Sequence, residues 1–260
     1  MELNIIYSYS LQIKESDIFI KSDLINSLNI ATKETIKHRN NLENYIQKHR
    51  NFSTSLKPIG VDENAPLIVK MMQEVTEFIN VGPMVAVAGA IADLILKGFK
   101  KSGSKISIVE NGGEITAISI KDIIIGILAG KSPLSGKIGF KLKSDRDFPF
   151  GLGTSSGTFG RGFSFGLADA GTVISENATI GDAAATYVGN KVVGKDIEKS
   201  IQNGLEAAET LEKIRGAIII RGKFAGMTGK LPKLVKIKGD LNKLLKRKYE
   251  YKLGQDYIIL

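Results

Sequence analysis

The longest run of this chain without a charged side chain, Phe78 to Ala92, is fifteen residues long and is broken by Gly82, Pro83 and Gly89. That stretch is the strongest constraint on the fold. A membrane-spanning helix needs about 20 apolar residues, so the run is too short to cross a bilayer and is expected to be buried against other parts of the chain. After the Gly82-Pro83 break, a helix from Val85 to Lys100 is rich in Ala and Gly. Small residues on all its sides predict close packing against a sheet or a second helix. Asp93 ends the uncharged run. An unpaired buried carboxylate is costly, so Asp93 is expected to have a hydrogen-bonding or basic partner.

Around this segment, helical and strand patterns come in blocks. Asn4 to Tyr9 and Asp17 to Ile20 read as an opening pair of strands, and Ala31 to His49 as an exposed amphipathic helix. Ser53 to Asn64 is a loop, and Ala65-Pro66 starts a helix to about Phe78, with the proline near its first turn. Strands follow at Lys105 to Val109, Ile115 to Ile120, Ile123 to Leu128 and Lys137 to Leu142. Phe150 to Gly166 reads as a glycine-rich loop and Asp169 to Ser175 as a buried strand. Helices are expected from Thr179 to Asn190 and from Asp196 to Ile214, then strands at Ala217 to Arg221, Phe224 to Met227 and Leu234 to Lys238. Blocks of this kind, without regular βαβ alternation, predict an α+β fold with antiparallel sheets packed by helices. With no internal repeat and no clear linker, residues 1–260 read as a single domain.

Composition removes several classes of function. The chain has no cysteine, which excludes a disulfide scaffold, a thiolate zinc site, an iron–sulfur cluster and a cysteine nucleophile. The amino-terminal residues lack a basic region followed by an apolar one, so a secretory signal is not expected and the default location is cytoplasmic. His38 and His49 lie eleven residues apart on one helix, roughly 16 Å at 1.5 Å per residue, too far to share a metal ion; both are expected at the surface. The net charge of +9 is concentrated near the end: residues 211–260 hold 13 Lys or Arg against four acids, and 13 − 4 = 9 is the whole excess. Such a segment could hold nucleic acid. It lacks the interleaved aromatics that stack on bases, and Leu234-Val-Lys-Ile-Lys alternates as a half-buried strand does. Lysines protecting a strand edge are the favoured reading.

Three segments could carry chemistry. Asn111-Gly112-Gly113 between two apolar runs is a hairpin signal, because Asn and Gly tolerate positive φ. It would be functional if a ligand approached the bare glycine backbone beside Glu110 or Glu114. In Gly151 to Gly160, four glycines accompany the hydroxyls of Thr154, Ser155 and Ser156. Exposed N–H groups with hydroxyls suit phosphate oxygens, and ordinary turns use the same residues. Asp182 and Thr186 stand at i and i+4, so their oxygens share a helix face. Two hard oxygens suit Mg²⁺, which retains water and phosphate ligands, whereas Thr179-x-x-Asp182 is also a capping-box spacing.

Taken in order, Ala65-Pro66, Val81 to Asp93, Glu110-Asn-Gly-Gly-Glu-Ile115, Thr154-Ser-Ser-Gly157, Phe165-Gly-x-Ala-Asp-Ala170 and Gly181-Asp-Ala-Ala-Ala-Thr186 resemble the uncharacterised ApbE-related proteins of archaea and anaerobic bacteria, distant relatives of the FAD:protein FMN transferases. The resemblance covers nearly the whole chain and implies the ApbE-like, T-fold-related α+β architecture. It implies a ligand site at Asn111, Gly112, Gly113, Glu114, Thr154, Ser155, Ser156, Gly157 and Arg161. It also implies a metal site at Asp182 and Thr186 with the backbone carbonyl near Val85. The cofactors so implied are Mg²⁺ and FAD or a related nucleotide. Where the transferases place FAD-contacting side chains, this sequence reads Gly82-Pro83 and Ala88-Gly89-Ala90, and their His-Ile-x-x-Pro segment gives way to Arg161 and Phe163 to Gly166. The expectation is Mg²⁺-dependent binding of a flavin or another diphosphate-bearing ligand. The alternatives are a non-catalytic accessory protein in anaerobic redox or sulfur (homocysteine) metabolism, with a protein partner or as a homodimer, and nucleic-acid binding through the basic end.

Overall fold

The computed structural model describes residues 5–158 and 164–237. Eight strands form one antiparallel sheet: β1 (Tyr7–Ile13), β2 (Ser16–Ser22), β3 (Ser107–Asn111), β4 (Glu114–Ile118), β7 (Phe150–Ser155), β8 (Ala170–Ser175), β9 (Ile214–Arg221) and β10 (Phe224–Gly229), in that spatial order. A second, three-stranded sheet has the order β11 (Lys233–Lys236), β6 (Ile138–Leu142), β5 (Ile123–Gly126). The helices are α1 (Ser27–Lys48), α2 (Asn51–Thr54), α3 (Leu67–Ile79), α4 (Val87–Lys101), α5 (Ala178–Gly189) and α6 (Ile197–Glu209), with a 3₁₀ turn at Pro83–Ala86 leading into α4.

These elements stack in three layers. Successive side chains of a strand point to opposite faces, and here both faces are covered. Ile18, Ile20, Val109, Val173, Ala217 and Ile219 join the core under the helices. Their neighbours Ile108, Ile174, Ile218 and Ile220 join a second core with Ile125, Phe140 and Leu142 of the smaller sheet. Two-sided burial explains why the strands read as near-continuous apolar runs such as Ala217 to Ile220.

The expected α+β architecture is therefore present, with three local differences and one agreement at the edge. Phe150 to Ser155 is a strand where a loop was expected. Its glycines are there for close approach: a Cβ on Gly153 would fall on the backbone of Gly181 in α5. Phe150 and Leu152, on the alternate positions, fill the second core. The last helix ends at Glu209, short of Ile214, because Ile214 onward is strand β9, paired between β8 and β10. His38 is buried at 3% exposure, with its Nε2 3.1 Å from Glu34 Oε2. The helix therefore packs on more of its surface than its charges suggested. Lastly, β11 is an edge strand whose Leu234 is exposed, and the lysines of that strand border the small sheet as edge protection does. Part of the basic end, residues 238–260, lies outside the described residues.

Of the Phe78 to Ala92 run, the part from Val81 is largely buried, as its composition required, whereas Phe78 and Asn80 are exposed. Among the described residues no single helix is long and apolar enough to cross a membrane, and α3 is bent by 111° from the turn and helix that follow it. Contact between α4 and α5 is close enough that a Cβ on Gly89 would strike the carbonyl of Ala178. Gly89→Ala sets two effects in opposition. Alanine favours a helix interior by about 1 kcal/mol over glycine. Overpacking typically costs about 1–3 kcal/mol, and the obstacle here is backbone, which cannot rotate away. A net loss of stability is expected, read as a lower urea midpoint with an unchanged slope; equal or greater stability would show that the two helices separate freely.

Candidate functional site

Two carboxylates tie α4 and α5 together. Asp93 on α4 accepts hydrogen bonds from the N–H groups of Ala178 (3.0 Å) and Thr179 (2.8 Å), and from the Thr179 hydroxyl (2.5 Å). Those are the first groups of α5, which have no partner within their own helix. Asp182 on α5 does the reverse. Its Oδ2 accepts from Gly89 N–H at 2.9 Å, and Ala88 N–H also donates to it. Each helix thus closes the amino terminus of the other, where a carboxylate is also favoured by the helix dipole. The expected partner of Asp93 is present, and it is backbone and hydroxyl.

This arrangement decides one of the open alternatives. Asp182 is not part of a capping box for its own helix. The N-cap of α5 is Asn177, whose Oδ1 accepts from Ile180 N–H at 2.9 Å. Thr179 has turned its hydroxyl to Asp93. Asn177 is a residue type that favours the N-cap and stands directly before an apolar segment, the signal that the Thr-x-x-Asp spacing obscures.

The β3–β4 hairpin brings the next residues. Gly112 and Gly113 form its two-residue turn with φ of +72° and +124°, so the hairpin reading of Asn111-Gly-Gly holds and its strands pair Asn111 with Glu114. The buried Asn111 side chain donates to the Ala88 carbonyl at 3.0 Å, fastening the hairpin to the start of α4. Glu114, also buried, receives the backbone N–H of Thr154 on β7. Asn111, Glu114, Asp182, the N–H of Thr154 and the first turn of α4 therefore converge.

Acidic groups run through this region in a row. Burial pushes the Asp182 carboxyl up to about 7, against the pull of Gly89 and Ala88 N–H and with help from the Asp93 charge. Burial, then the charge of Asp182, holds Glu114 well above the usual carboxylate range. Asp93 is raised by burial and lowered by its Thr179 and Ala178 contacts. Among the described residues none of the three forms an ion pair. Nor do any three His, Cys, Asp or Glu side chains among them group tightly enough to hold a metal on their own. A cation here would need hydroxyl, carbonyl or ligand oxygens as well. Thr186 lies one turn beyond Asp182 and is half-buried. Val85 sits in the 3₁₀ turn, which packs on α5.

The hydroxyl run of β7 is not one cradle. Thr154 turns its Oγ1 to Thr172 Oγ1 at 3.1 Å. That is the sheet face of Leu152 and the second core, away from Asp182. Ser155 is on the helix face, beside Gly189 near the end of α5. Ser156 Oγ accepts from Thr158 N–H at 3.2 Å. Gly157 does not have a positive φ; its N–H donates to the Ala168 carbonyl at 2.9 Å, and a Cβ there would collide with the Gly166 carbonyl. A side chain at position 157 is thus excluded by packing. Arg161 lies outside the described residues. Sequence reasoning missed Asp169, which accepts from the Thr158 hydroxyl (2.7 Å) and from Gly222 N–H (2.6 Å), tying this segment to the β9–β10 turn.

With this geometry in place, comparison with known proteins gives the class. The family described as AbpE bacteria matches residues 4–223, and the chain belongs to that family. It is 43% identical over 232 residues to a UPF0280 protein of Methanococcus vannielii, covering 89% of this chain and 94% of that one. A UPF0280 protein of Methanocaldococcus jannaschii is 43% identical over 225 residues, covering 86% and 91%. Among solved structures, the ApbE protein of Thermotoga maritima matches with a TM-score of 0.53 at 13% identity, over 87% of this chain and 97% of that chain. The flavinyl transferase ApbE of Pseudomonas stutzeri matches with a TM-score of 0.51 at 15% identity, over 88% and 96%. The ApbE-like fold and the archaeal relatives are as the motifs implied.

The raised carboxyls give a pH dependence. A group whose folded pKa lies above its unfolded value binds more protons when folded, so its contribution to stability falls as pH rises between the two values. For Asp182 that window runs from 3.8 to about 7. His38, lowered chiefly by burial, acts in the opposite sense below its usual 6.5. Comparing variants cancels it. In metal-free buffer, Asp182→Asn is expected to gain stability relative to the unmodified chain as pH rises from about 5 to 7.5, measured by thermal unfolding; parallel curves would show that the Asp182 carboxyl titrates alike in the folded and unfolded chain.

Proposed function

We propose that the chain binds a divalent cation, Mg²⁺, together with FAD or a related diphosphate-bearing ligand where the β3–β4 hairpin, the start of α4, β7 and α5 meet. The observation that carries this reading is the convergence of Glu114 and Asp182. These are two buried carboxylates under one another's influence, with no ion-paired base among the described residues to offset them. Isolated buried negative charge is costly, and a cation relieves it. The donor chemistry fits Mg²⁺: Asp182, Glu114, the Thr186 hydroxyl and the Val85 carbonyl offer only hard oxygens, with room for waters and phosphates to complete the set.

Bound there, Mg²⁺ supplies positive charge to the phosphate oxygens of the ligand. The chain's own residues do the rest. Asn111 holds the hairpin on α4, the glycine turn offers bare backbone to a ligand, and Ser155 presents a hydroxyl from the helix face of β7. Likeness in fold to a flavinyl transferase supports a flavin nucleotide as the ligand. Binding is proposed rather than transfer, because Gly82-Pro83 and Ala88-Gly89-Ala90 stand where transferases contact FAD with larger side chains. Gly89 has no room for one against Ala178.

Thermal unfolding with FAD, with Mg²⁺ and with both tests the reading. The unmodified chain is expected to rise in midpoint only with the pair, because a ligand that binds the folded state stabilises it by mass action. Asp182→Asn keeps an acceptor for Gly89 N–H yet is a poor Mg²⁺ ligand, so the paired rise should vanish while the ligand-free variant stays folded and is at least as stable as the unmodified chain at neutral pH. Thr186→Ala should weaken the rise less, having lost a dipole and not a charge. A full rise in the Asn variant removes Mg²⁺ from Asp182. Flavin absorbance in the purified protein would add direct support.

A further inference from the structure

On the far face of the large sheet, away from the acidic row, β1 and β2 bury three polar atoms that have no hydrogen-bond partner among the described residues. They are Lys21 Nζ, Ser8 Oγ and Ser10 Oγ. Lys21 is only 1% exposed and is among the largest fully buried side chains of the protein. The strand register sets them together. Ser8 pairs with Lys21 and Ser10 with Phe19, so all four side chains share one face, with directly opposed Cβ atoms about 4.5–5.5 Å apart. Ile18 and Ile20, the alternate positions, go to the helix-side core. On its other side Lys21 pairs with Ile108, a member of the second core. The Lys21 ammonium lies 5.7 Å from the Phe19 ring centroid, which leans it toward the Ser10 pair.

An unpaired ammonium in this position is costly, since burial deprives it of water and no carboxylate replaces that loss. Its acidity bears this out: burial is the one cause acting on Lys21, and it lowers the group from 10.5 to about 8. At neutral pH the amine is still mostly protonated. Glu110, on the same strand face across from Phe19, acts on Glu114 and not on Lys21. Two hydroxyls and one ammonium without hydrogen-bond partners among the described residues, the ammonium facing only the Phe19 ring, are the complement of an oxyanion, whose several lone pairs accept charge-assisted hydrogen bonds. β1 is the edge strand of the sheet, so among the described residues no further strand pairs beyond it.

We propose that Ser8, Ser10 and Lys21 form a second binding site, for the oxyanion group of a phosphate- or carboxylate-bearing molecule, independent of the Asp182 region on the opposite face. The test uses the full chain at pH 7, with inorganic phosphate and acetate as probes, each compared with sodium chloride at equal ionic strength. A saturable rise in the unfolding midpoint is expected with at least one probe, and the larger rise tells phosphate from carboxylate. Lys21→Met should unfold at a higher temperature without anion, having lost an unpaired charge, and should lose the anion-dependent rise. Ser8→Ala with Ser10→Ala keeps the lysine and should need at least about tenfold more anion, since two charge-assisted contacts are gone. A Lys21→Met chain that keeps the full rise, a wild-type response no greater than that to chloride, or a serine double variant with unchanged anion dependence would each overturn the proposal. If Lys21→Met does not fold, the serine pair decides alone.

Discussion

The two carboxylates exchanged between α4 and α5 hold together everything that matters for the site. Asp93 satisfies the opening N–H groups of α5, and Asp182 satisfies those of α4. Helix ends left buried without partners are expensive, so neither helix could start where it does without the other. The exchange also fixes their separation. It brings Gly89 against Ala178 and, one layer down, Gly153 of β7 against Gly181, contacts that no side chain could share.

That solution carries an electrostatic cost in the same place. Both carboxylates are drawn out of water, and the hairpin adds Glu114 beside Asp182. Burial raises all three acids, and like charge adds to it at Glu114 and Asp182. A cation is the natural relief, because it serves the pair of charges without disturbing the N–H contacts that hold the helices. Structure and chemistry are coupled at Asp182: one oxygen closes a helix, and the carboxylate as a whole faces the acidic row. An asparagine there separates the two roles, which is why that single substitution is informative.

The three-layer plan distributes the remaining polar groups. Alternation along each strand sends one set of side chains to the helices and the other to the small sheet. Thr154 illustrates the consequence. Its N–H serves Glu114 on one side of the sheet while its hydroxyl meets Thr172 on the other. Lys21 is carried by the same alternation to the face of the second core, opposite Ser8, where its ammonium has no hydrogen-bond partner among the described residues.

By itself the sequence determined the class of fold, the hairpin at Asn111-Gly-Gly and the burial of the small-residue segment. Each rests on local pattern: block order, turn residues that accept positive φ, and a charge-free run too short for a membrane. It also marked Glu114, Asp182 and the need of Asp93 for a partner, since the chemistry of a carboxylate is readable anywhere in a chain. Only the tertiary structure decided what those groups touch. Gly151 and Gly153 look like loop residues until α5 is laid across them, and Asp182 looks like the cap of its own helix until α4 arrives 93 positions away in sequence. The direction of each hydroxyl in Thr154 to Ser156, and the isolation of Lys21, follow from strand register, which depends on partners that are distant along the chain. Contacts between such distant segments are set by packing as a whole, and no local spacing encodes them.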